Sequence, residues 1–441
     1  MKSPESRNQF GWVMYDWANS AYITTVAVAV LPIYFADAVI GPKGFAVFGV
    51  TLSATTLWAW MIGLSALIIF LSAPFLGAIA DFSSSKKRFL FAFCYTGSIA
   101  TLLFAFCGPG DVWLTMGLFV LAQTAFVGGN VFYDAFLPHI ASDDKLDWIS
   151  GKGFAYGYIG GGLQFLGALL VITFHEALGL SAEFAARAAM VTAGLWWGGF
   201  AIVTFVFLDE SQPKQHIPAR FRGMNPVVAY LRIGISRTLS TAVQVGRFKH
   251  LLLFLIAFMI YNDGIQTVIT MATIYGREEL EFAPRDLMLT LLIIQFVAFF
   301  GALLFGRIGE RISAKRALMI TLAMWSFVVI YAYFMTSARE YYILGVIVGL
   351  SLGGSQSLSR SLYGSIVPRE ASAEFYGFYS VFSKFSAIWG PLIFGIIDTL
   401  TGSTRQAIIS LIIFFIVGML LLVFVNVESA KATRNEGLFG G

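Results

Sequence analysis

The amino-acid sequence predicts an all-α membrane protein with twelve transmembrane helices in two six-helix halves. Twelve long apolar segments follow one another through 441 residues, and 58% of the residues are hydrophobic against 12% charged. This composition is far from that of soluble proteins, and each segment approaches or exceeds the ~20 residues that span a hydrocarbon core. The predicted spans cover residues 12–39, 57–80, 89–107, 112–138, 154–174, 186–208, 251–275, 287–306, 317–336, 341–367, 375–397 and 406–426.

Lysine and arginine collect in every second connection between the spans, which predicts the orientation of the chain. With a cytoplasmic N-terminus, 21 of the 29 basic residues lie in inside segments and six in outside segments. Both termini are therefore predicted to be cytoplasmic. The net charge of +4 reflects this topology and does not indicate nucleic-acid binding. The first ten residues are polar and no cleavage site follows a short apolar run, so the first span is expected to be retained as an anchor.

The cysteines and histidines are too few and too scattered to form a disulfide framework, a metal site or a cofactor site. Cys94 and Cys107 lie at or within the third span, and no two of the four histidines stand at metal-ligand spacing. No segment resembles an ATP-binding loop, which makes an ion gradient the expected energy source. A membrane-embedded enzyme would need an interfacial cluster of acid, base or metal ligands, and the sequence shows none. We therefore expect no catalytic residues.

A long polar segment divides the chain into two similar halves. The predicted organisation is a six-helix half at 1–208, a basic cytoplasmic loop at 209–250, a second six-helix half at 251–427 and a cytoplasmic tail at 428–441. A loop motif recurs at a constant offset: Gly77-Ala-Ile-Ala-Asp81 with Lys86-Lys87 corresponds to Gly306-Arg-Ile-Gly-Glu310 with Lys315-Arg316. This repeat predicts two halves related along the membrane normal.

Five ionisable residues lie deep in predicted spans, where a charge costs at least about 2.5–3.5 kcal/mol. Asp16 and Asp134 lie toward the cytoplasmic ends of spans one and four, and Arg360 lies in the inner third of span ten. Asp263 and Lys384 lie near the middle of spans seven and eleven. Fixed pairs of Asp263 with Lys384, or of Asp134 with Arg360, would satisfy these charges within the bundle.

Polar neighbours recur at helical spacing beside these charges, which predicts inward-facing polar stripes. The candidate solute-binding residues are Asn19, Tyr22, Asn262, Gln266, Gln356, Arg360 and Lys384. A buried carboxylate can gain or release a proton when a cation moves away or approaches, so Asp263 is the first candidate for proton coupling, followed by Asp16 and Asp134. Arg360 and Lys384 could receive an anionic or zwitterionic solute.

The repeated loop resembles the signature of the major facilitator superfamily, in which spans one, four, seven and ten line a central cavity. The resemblance implies a cytoplasmic gate that involves Asp81, Arg88, Glu310 and Arg316. Further strings resemble the autophagy-related protein 22 type of this superfamily, also called the unknown major facilitator family. These strings are Tyr15-Asp-Trp-Ala-Asn-Ser-Ala-Tyr22, Tyr261-Asn-Asp-Gly-Ile-Gln-Thr267, Gly353-Gly-Ser-Gln-Ser-Leu-Ser-Arg-Ser361, Glu374-Phe-Tyr-Gly-Phe-Tyr379 and Gly390-Pro391.

This resemblance implies export of an amino acid or a related small solute. Together with the buried carboxylates, it leads us to expect a monomeric secondary transporter that works by alternating access and is coupled to protons. The short loops favour a bacterial inner membrane. Two alternatives stay open at this point: a solute-binding receptor or scaffold with a transporter fold, and a transporter for sugars, drugs or nucleosides.

Overall fold

A computed structural model describes residues 3–47, 49–210, 223–244, 248–278, 280–282 and 284–435. Within this part of the chain, twelve helices are long and apolar enough to cross a membrane, which confirms the predicted all-α fold. The spans, numbered 1 to 12, are Pro4–Ile40, Ala54–Ser83, Lys86–Phe106, Val112–Ile140, Leu146–Thr173, Ala182–Phe207, Lys249–Arg277, Leu289–Ile312, Ala314–Phe334, Ala338–Ile366, Arg369–Thr401 and Thr404–Phe424.

Spans 1 and 5 begin earlier than the sequence predicts, because their first turns are polar and escape a search for apolar residues. Ser3 caps span 1 by accepting a hydrogen bond from the Ser6 amide, and Pro4 occupies the first turn, where its missing N–H costs nothing. Further along, span 1 widens into π-type turns at Tyr22–Val30 and Phe35–Ile40, on either side of Pro32. Wider turns accommodate a proline, which lacks an amide donor and crowds the preceding turn.

Span 11 is a broken helix. Its first part is Ser372–Phe385, its second part is Trp389–Thr401, and residues 386–388 interrupt the helical hydrogen bonds. A break in the middle of a span exposes backbone amides and carbonyls that water would satisfy elsewhere, so a membrane protein must supply partners from neighbouring helices.

The polar segment 209–250 contains a helix and is not simply a loop. This linker helix packs on span 2, where Gly234 faces the Phe75 ring and the rings of Tyr230 and Phe82 lie 6.1 Å apart. Its buried stripe is narrow and includes an arginine, which hides it from a hydropathy search: Ala229, Ile233, Arg237 and Thr241. This linker helix covers Pro226–Gln244, and a C-terminal helix covers Val427–Asn435. Two short strands outside the spans, Phe45–Val47 and Val50–Leu52, pair antiparallel. Residues 211–222 and 245–247 of the predicted loop, and 436–441 of the predicted tail, lie outside the described part.

The two halves, spans 1–6 and spans 7–12, contact each other at one end of the bundle. This end carries both described termini, the linker helix and the lysine-rich and arginine-rich connections, and it is called the basic end. There span 2 packs on span 11, and span 5 packs on spans 8 and 10. Glycine allows the close approach: a Cβ at Gly377 would lie 2.7 Å from the Pro74 backbone, and one at Gly151 would lie 2.6 Å from the Ala302 carbonyl oxygen.

Candidate functional site

A cavity of about 420 Å³ lies between the halves. The polar residues at its deep end, on the side of the basic end, include Asp16, Asn19, Asn130, Tyr158 and Gln356, and others such as Thr290 and Gln295 line the part nearer the opposite end. From this floor the lining extends past aromatic and aliphatic side chains to residues near the opposite ends of spans 1, 9 and 10. The apolar lining includes Phe126, Phe154, Phe165, Leu291, Ile294 and Val348. The cavity therefore has an apolar body and a small polar floor, the usual composition of a site for a small organic molecule.

Two hydrogen bonds organise the floor. The Asn19 amide donates to the Asn130 side-chain oxygen at 2.6 Å, which joins spans 1 and 4 within the first half. The Tyr158 hydroxyl donates to the Gln356 side-chain oxygen at 2.6 Å, which joins span 5 to span 10 and so crosses between the halves. The floor is therefore built by both halves.

Directly beneath the floor, Arg360 joins two carboxylates. One guanidinium nitrogen, Nη1, lies 3.1 Å from Asp16 Oδ2 and 3.1 Å from Asp134 Oδ1. The other nitrogens donate to Ser150: Nε to the hydroxyl at 3.1 Å and Nη2 to the backbone carbonyl at 2.9 Å. The Tyr133 hydroxyl donates to the same oxygen of Asp16 at 2.7 Å. Arg360 comes from the second half and all of these partners from the first, so the cluster ties the halves together.

Aromatic rings enclose the guanidinium of Arg360. Its central carbon lies 4.0 Å from the ring centre of Phe154, 4.8 Å from that of Trp12 and 5.4 Å from that of Tyr133. These ring faces attract the cation and exclude water from the ion pairs. Gly153 completes the enclosure, because a Cβ at this position would lie 2.6 Å from Arg360 Nη2. The side chain of Arg360 is only 3% exposed.

The charges of this cluster do not balance. Two carboxylates face one guanidinium, and with both carboxylates ionised the enclosed cluster carries one excess negative charge. An uncompensated charge in a largely buried site is costly, and one proton shared by the two carboxylates neutralises the cluster. The arrangement can therefore take up and release a proton at the junction between the halves.

Asp263 lies at the break in span 11. Its two carboxylate oxygens accept hydrogen bonds from the backbone amides of Trp389 and Gly390, at 3.0 and 2.8 Å. Asp263 on span 7 thus caps the second part of broken span 11, satisfying amides that the break leaves without helical partners. The neighbouring Asn262 side chain bonds Ser386, which lies within the break.

The remaining candidate residues separate into two groups. Asn19 and Gln356 line the cavity, whereas Tyr22, Asn262, Gln266, Arg360 and Lys384 do not. Tyr22 donates to Gln123 at 3.2 Å inside the first half. Lys384 is partly buried, and the described residues show no ion pair between it and Asp263. Of the two pairs that the sequence left open, the structure contains Asp134 with Arg360, with Asp16 as an additional partner.

The two copies of the repeated loop motif differ. Asp81 is buried, pairs with Lys86 at 3.0 Å and accepts a hydrogen bond at 2.9 Å from the Glu374 amide in the first turns of span 11. Lys86 also donates to Ser372 at 2.9 Å and lies 3.1 Å from His139. In the second copy Glu310 is exposed and lines a separate cavity at the basic end. Arg88 and Arg316 are exposed as well.

This asymmetry makes the two carboxylates matched test positions. Asp81→Asn is expected to destabilise the protein by about 1–3 kcal/mol, because it removes the charge that faces buried Lys86 while an amide oxygen still accepts from Glu374. Glu310→Gln should change stability by less than about 0.5 kcal/mol, because the carboxylate is exposed. Thermal unfolding of both variants in one detergent measures the difference. Equal shifts in the two variants would show that the buried Asp81–Lys86 pair contributes no more to stability than the exposed Glu310 does.

Several residues of the cluster were missed by sequence reasoning. Tyr133, Ser150 and Trp12 look like ordinary span residues, and only the fold brings them to Arg360. Asn130 carried a usable signal, because it lies four residues before Asp134 and hence on the same face of span 4.

Comparison with known proteins shows which family this chain resembles. Residues 5–435 match the family described as Vacuole effluxer Atg22 like. The MFS-type transporter YxiO of Bacillus subtilis (strain 168) is 34% identical over 438 residues, which cover 98% of this chain and 97% of that protein. Autophagy-related protein 22-1 of Neosartorya fischeri is 24% identical over 473 residues, covering 87% and 77%. The major facilitator superfamily (MFS) proton:xylose symporter XylE shares the fold, with a TM-score of 0.68 at 12% identity over 97% of this chain and 98% of that one.

Proposed function

This chain is a membrane transporter of the MFS type that belongs to the Vacuole effluxer Atg22-like family, and we propose that it moves a small solute by proton-coupled alternating access. The observation that carries the proposal is the cluster of Asp16, Asp134 and Arg360 beneath the central cavity. The cluster has an unbalanced charge and crosses between the halves. It also lies where a bound solute and a proton could both influence the contact between the two halves.

The proposed cycle follows from the position of this cluster. With the halves joined at the basic end, the cavity is reached from the opposite end. Parting the halves at the basic end would separate Arg360 on span 10 from Asp16 and Asp134 on spans 1 and 4. The two carboxylates would then lose their cation and gain protons or water in its place. A proton carried by one carboxylate in one state and released in the other couples the movement to a gradient.

The proposed orientation puts the basic end in the cytoplasm, in agreement with the excess of lysine and arginine in its connections. Both termini would then be cytoplasmic, and in a bacterial inner membrane the cavity of the described conformation would open to the outside of the cytoplasm. Export of an amino acid or a related compound is the proposed direction and cargo.

A proteoliposome assay tests proton coupling even while the cargo is unidentified. Vesicles containing a pH-sensitive dye are given panels of amino acids, amines, sugars and nucleosides on one side. The proposal predicts that at least one solute starts a proton flux that needs the protein. Asp16→Asn and Asp134→Asn should each lower this flux at least tenfold, since each removes one exchangeable carboxylate from the cluster.

Asp147→Asn is the matched control, because Asp147 is a carboxylate of span 5 at the basic end that does not contact Arg360. Its flux should stay within about twofold of the parent. Solute movement that occurs without any proton flux, or a flux that survives in both cluster variants, would overturn proton coupling by this cluster.

A further inference from the structure

The central cavity contains a carboxylate and no cation. Of the residues described as lining it, Asp16 alone carries a formally charged side chain. Arg360 and Lys384, the cations expected to receive an anionic solute, are not part of the lining. A solute carboxylate that reached the floor would meet Asp16 and a set of neutral groups, and the like charges would repel each other. The electrostatics of the floor favour a positively charged group.

Asp16 has one oxygen engaged and one available. Oδ2 accepts hydrogen bonds from Arg360 at 3.1 Å and from Tyr133 at 2.7 Å. Within the described residues no donor bonds Oδ1, and the side chain is 12% exposed where it lines the cavity. Asp16 therefore contributes one oxygen to the contact between the halves and offers the other to the cavity.

Neutral acceptors line the same cavity as Asp16. Gln356 and Asn130 each present a side-chain oxygen that already accepts one hydrogen bond and can accept a second. Ser20 and Thr24 add hydroxyls to the same wall of the cavity. A primary ammonium group has three N–H donors and no acceptor, so one carboxylate oxygen and two neutral oxygens would satisfy it.

We propose that this cavity selects solutes that combine an amine with an apolar body, and that Asp16 receives the amine. The proposal rests on the transport function proposed above and names its cargo class. An apolar amino acid would bind through its ammonium group, its carboxylate contributing little. The aromatic and aliphatic lining, with Phe126, Phe154 and Phe165 among it, would cover the apolar body.

The position of Asp16 also links occupancy of the cavity to the contact between the halves. An ammonium group bound to Oδ1 would draw on the negative charge of Asp16 that otherwise attracts Arg360. The Asp16–Arg360 pair would weaken, and Arg360 would keep Asp134 as its other partner. The charged or titratable groups that face Asp16 are Arg360 from span 10, Asp134 and Tyr133 from span 4, Tyr158 from span 5 and Tyr15 from its own span.

A set of three matched compounds tests the selectivity on the purified parent protein. They share a phenyl ring and a two-carbon chain: 2-phenylethylamine has only the amine, 3-phenylpropanoate only the carboxylate, and phenylalanine has both. Binding is measured by isothermal titration calorimetry in detergent. We expect saturable binding of the amine and of phenylalanine, and at least tenfold weaker binding of the carboxylate. Binding of 3-phenylpropanoate as tight as that of the amine would overturn the proposal.

Two variants then identify the carboxylate that receives the amine. Asp16→Asn should weaken binding of 2-phenylethylamine at least tenfold. Asp134→Asn should leave it within about threefold, because Asp134 pairs with the same guanidinium but does not line the cavity. An Asp16→Asn protein that is folded and binds the amine like the parent would overturn the assignment. If it does not fold, the selectivity of the parent for the three compounds decides.

This result is independent of the flux assay. Proton-coupled flux of a solute without an amine would sustain the transport function and overturn the amine proposal. Selective amine binding without any proton flux would sustain the cavity chemistry and overturn proton-coupled transport.

Discussion

Arg360→Gln is expected to destabilise the protein by about 3–5 kcal/mol and to open the basic end of the bundle. The substitution leaves Asp16 and Asp134 buried without their cation, which is the costly way to break a buried ion pair. It also empties the enclosure formed by Trp12, Tyr133 and Phe154. Thermal unfolding in detergent measures the stability, and labelling of a cysteine introduced at buried Ser361 with an impermeant maleimide measures the opening.

The control for this prediction is Arg369→Gln. Arg369 also crosses between the halves at the basic end, where it pairs with Asp143 at 2.9 Å, but its side chain is 49% exposed. An exposed pair contributes about 0–1 kcal/mol, so this variant should unfold almost like the parent. Asp143 also binds Arg434 of the C-terminal helix at 3.0 Å, which leaves it a second cation. Stability and labelling that are alike in the Arg360 and Arg369 variants would show that the buried cluster does not hold the halves.

Neutralising the carboxylates together with Arg360 is a second check on the same mechanism. If the loss in Arg360→Gln comes from uncompensated charge, the triple variant Asp16→Asn, Asp134→Asn, Arg360→Gln should recover much of the stability. Transport should nevertheless be lost, because no exchangeable proton remains in the cluster. A triple variant less stable than Arg360→Gln alone would contradict charge as the cause.

Asp263→Ala is the second substitution for which we expect a large effect. It leaves the amides of Trp389 and Gly390 without an acceptor in the interior of a membrane protein, at about 1–3 kcal/mol for each orphaned donor. The combined loss is on the order of 4 kcal/mol. Asp263→Asn should cost less, because one amide oxygen still accepts a hydrogen bond. Thermal unfolding of the two variants checks the order.

Thr267→Val provides the control for the cap. The Thr267 hydroxyl donates to the Asp263 backbone carbonyl at 2.7 Å and also lies beside the carboxylate. Its removal disturbs the same turn but leaves both carboxylate oxygens to accept from the Trp389 and Gly390 amides. The loss should be about 0.5–1.5 kcal/mol. If Asp263→Ala is no less stable than Thr267→Val, the carboxylate does not hold the second part of span 11.

The Asp263 variants also separate the cap from a role in proton coupling. If Asp263 couples transport to protons, Asp263→Asn should lose gradient-driven transport while solute exchange continues. If Asp263 only caps the second part of span 11, both activities should decline together with the stability of the protein. The position of the carboxylate on Trp389 and Gly390 favours the cap, and the ratio of the two activities in Asp263→Asn distinguishes the roles.

The sequence predicted the spans, their arrangement in two halves and the depth of the charges, because each follows from local hydropathy or spacing. It also identified Asp134 with Arg360 as a candidate pair. It could not show that Asp16 shares the same guanidinium, because three residues on spans 1, 4 and 10 meet only when the halves pack. Asp263 is the clearest example of the limit: its depth is visible in the sequence, whereas the break in span 11 that it caps is not.

The linker helix and the repeated loop illustrate a related limit. A helix that buries one side chain in four, with Arg237 among them, resembles a polar loop in any scan of hydropathy. The two loop copies are alike in sequence, yet only Asp81 is buried against span 11. The difference comes from how each copy meets the opposite half, which local sequence does not encode.

The most direct test of alternating access is a pair of distances between the halves, measured by pulsed electron paramagnetic resonance. Spin labels at exposed Arg88 and Arg311 report on the basic end, and labels at exposed Lys43 and Arg339 report on the opposite end, in a protein whose buried Cys94 and Cys107 are replaced by alanine. We expect that the transported solute, together with a pH that changes the protonation of the cluster, lengthens the distance at the basic end and shortens the distance at the opposite end. Arg360→Gln should lengthen the first distance without solute. Two distances that stay fixed under all of these conditions would contradict alternating access controlled by this cluster.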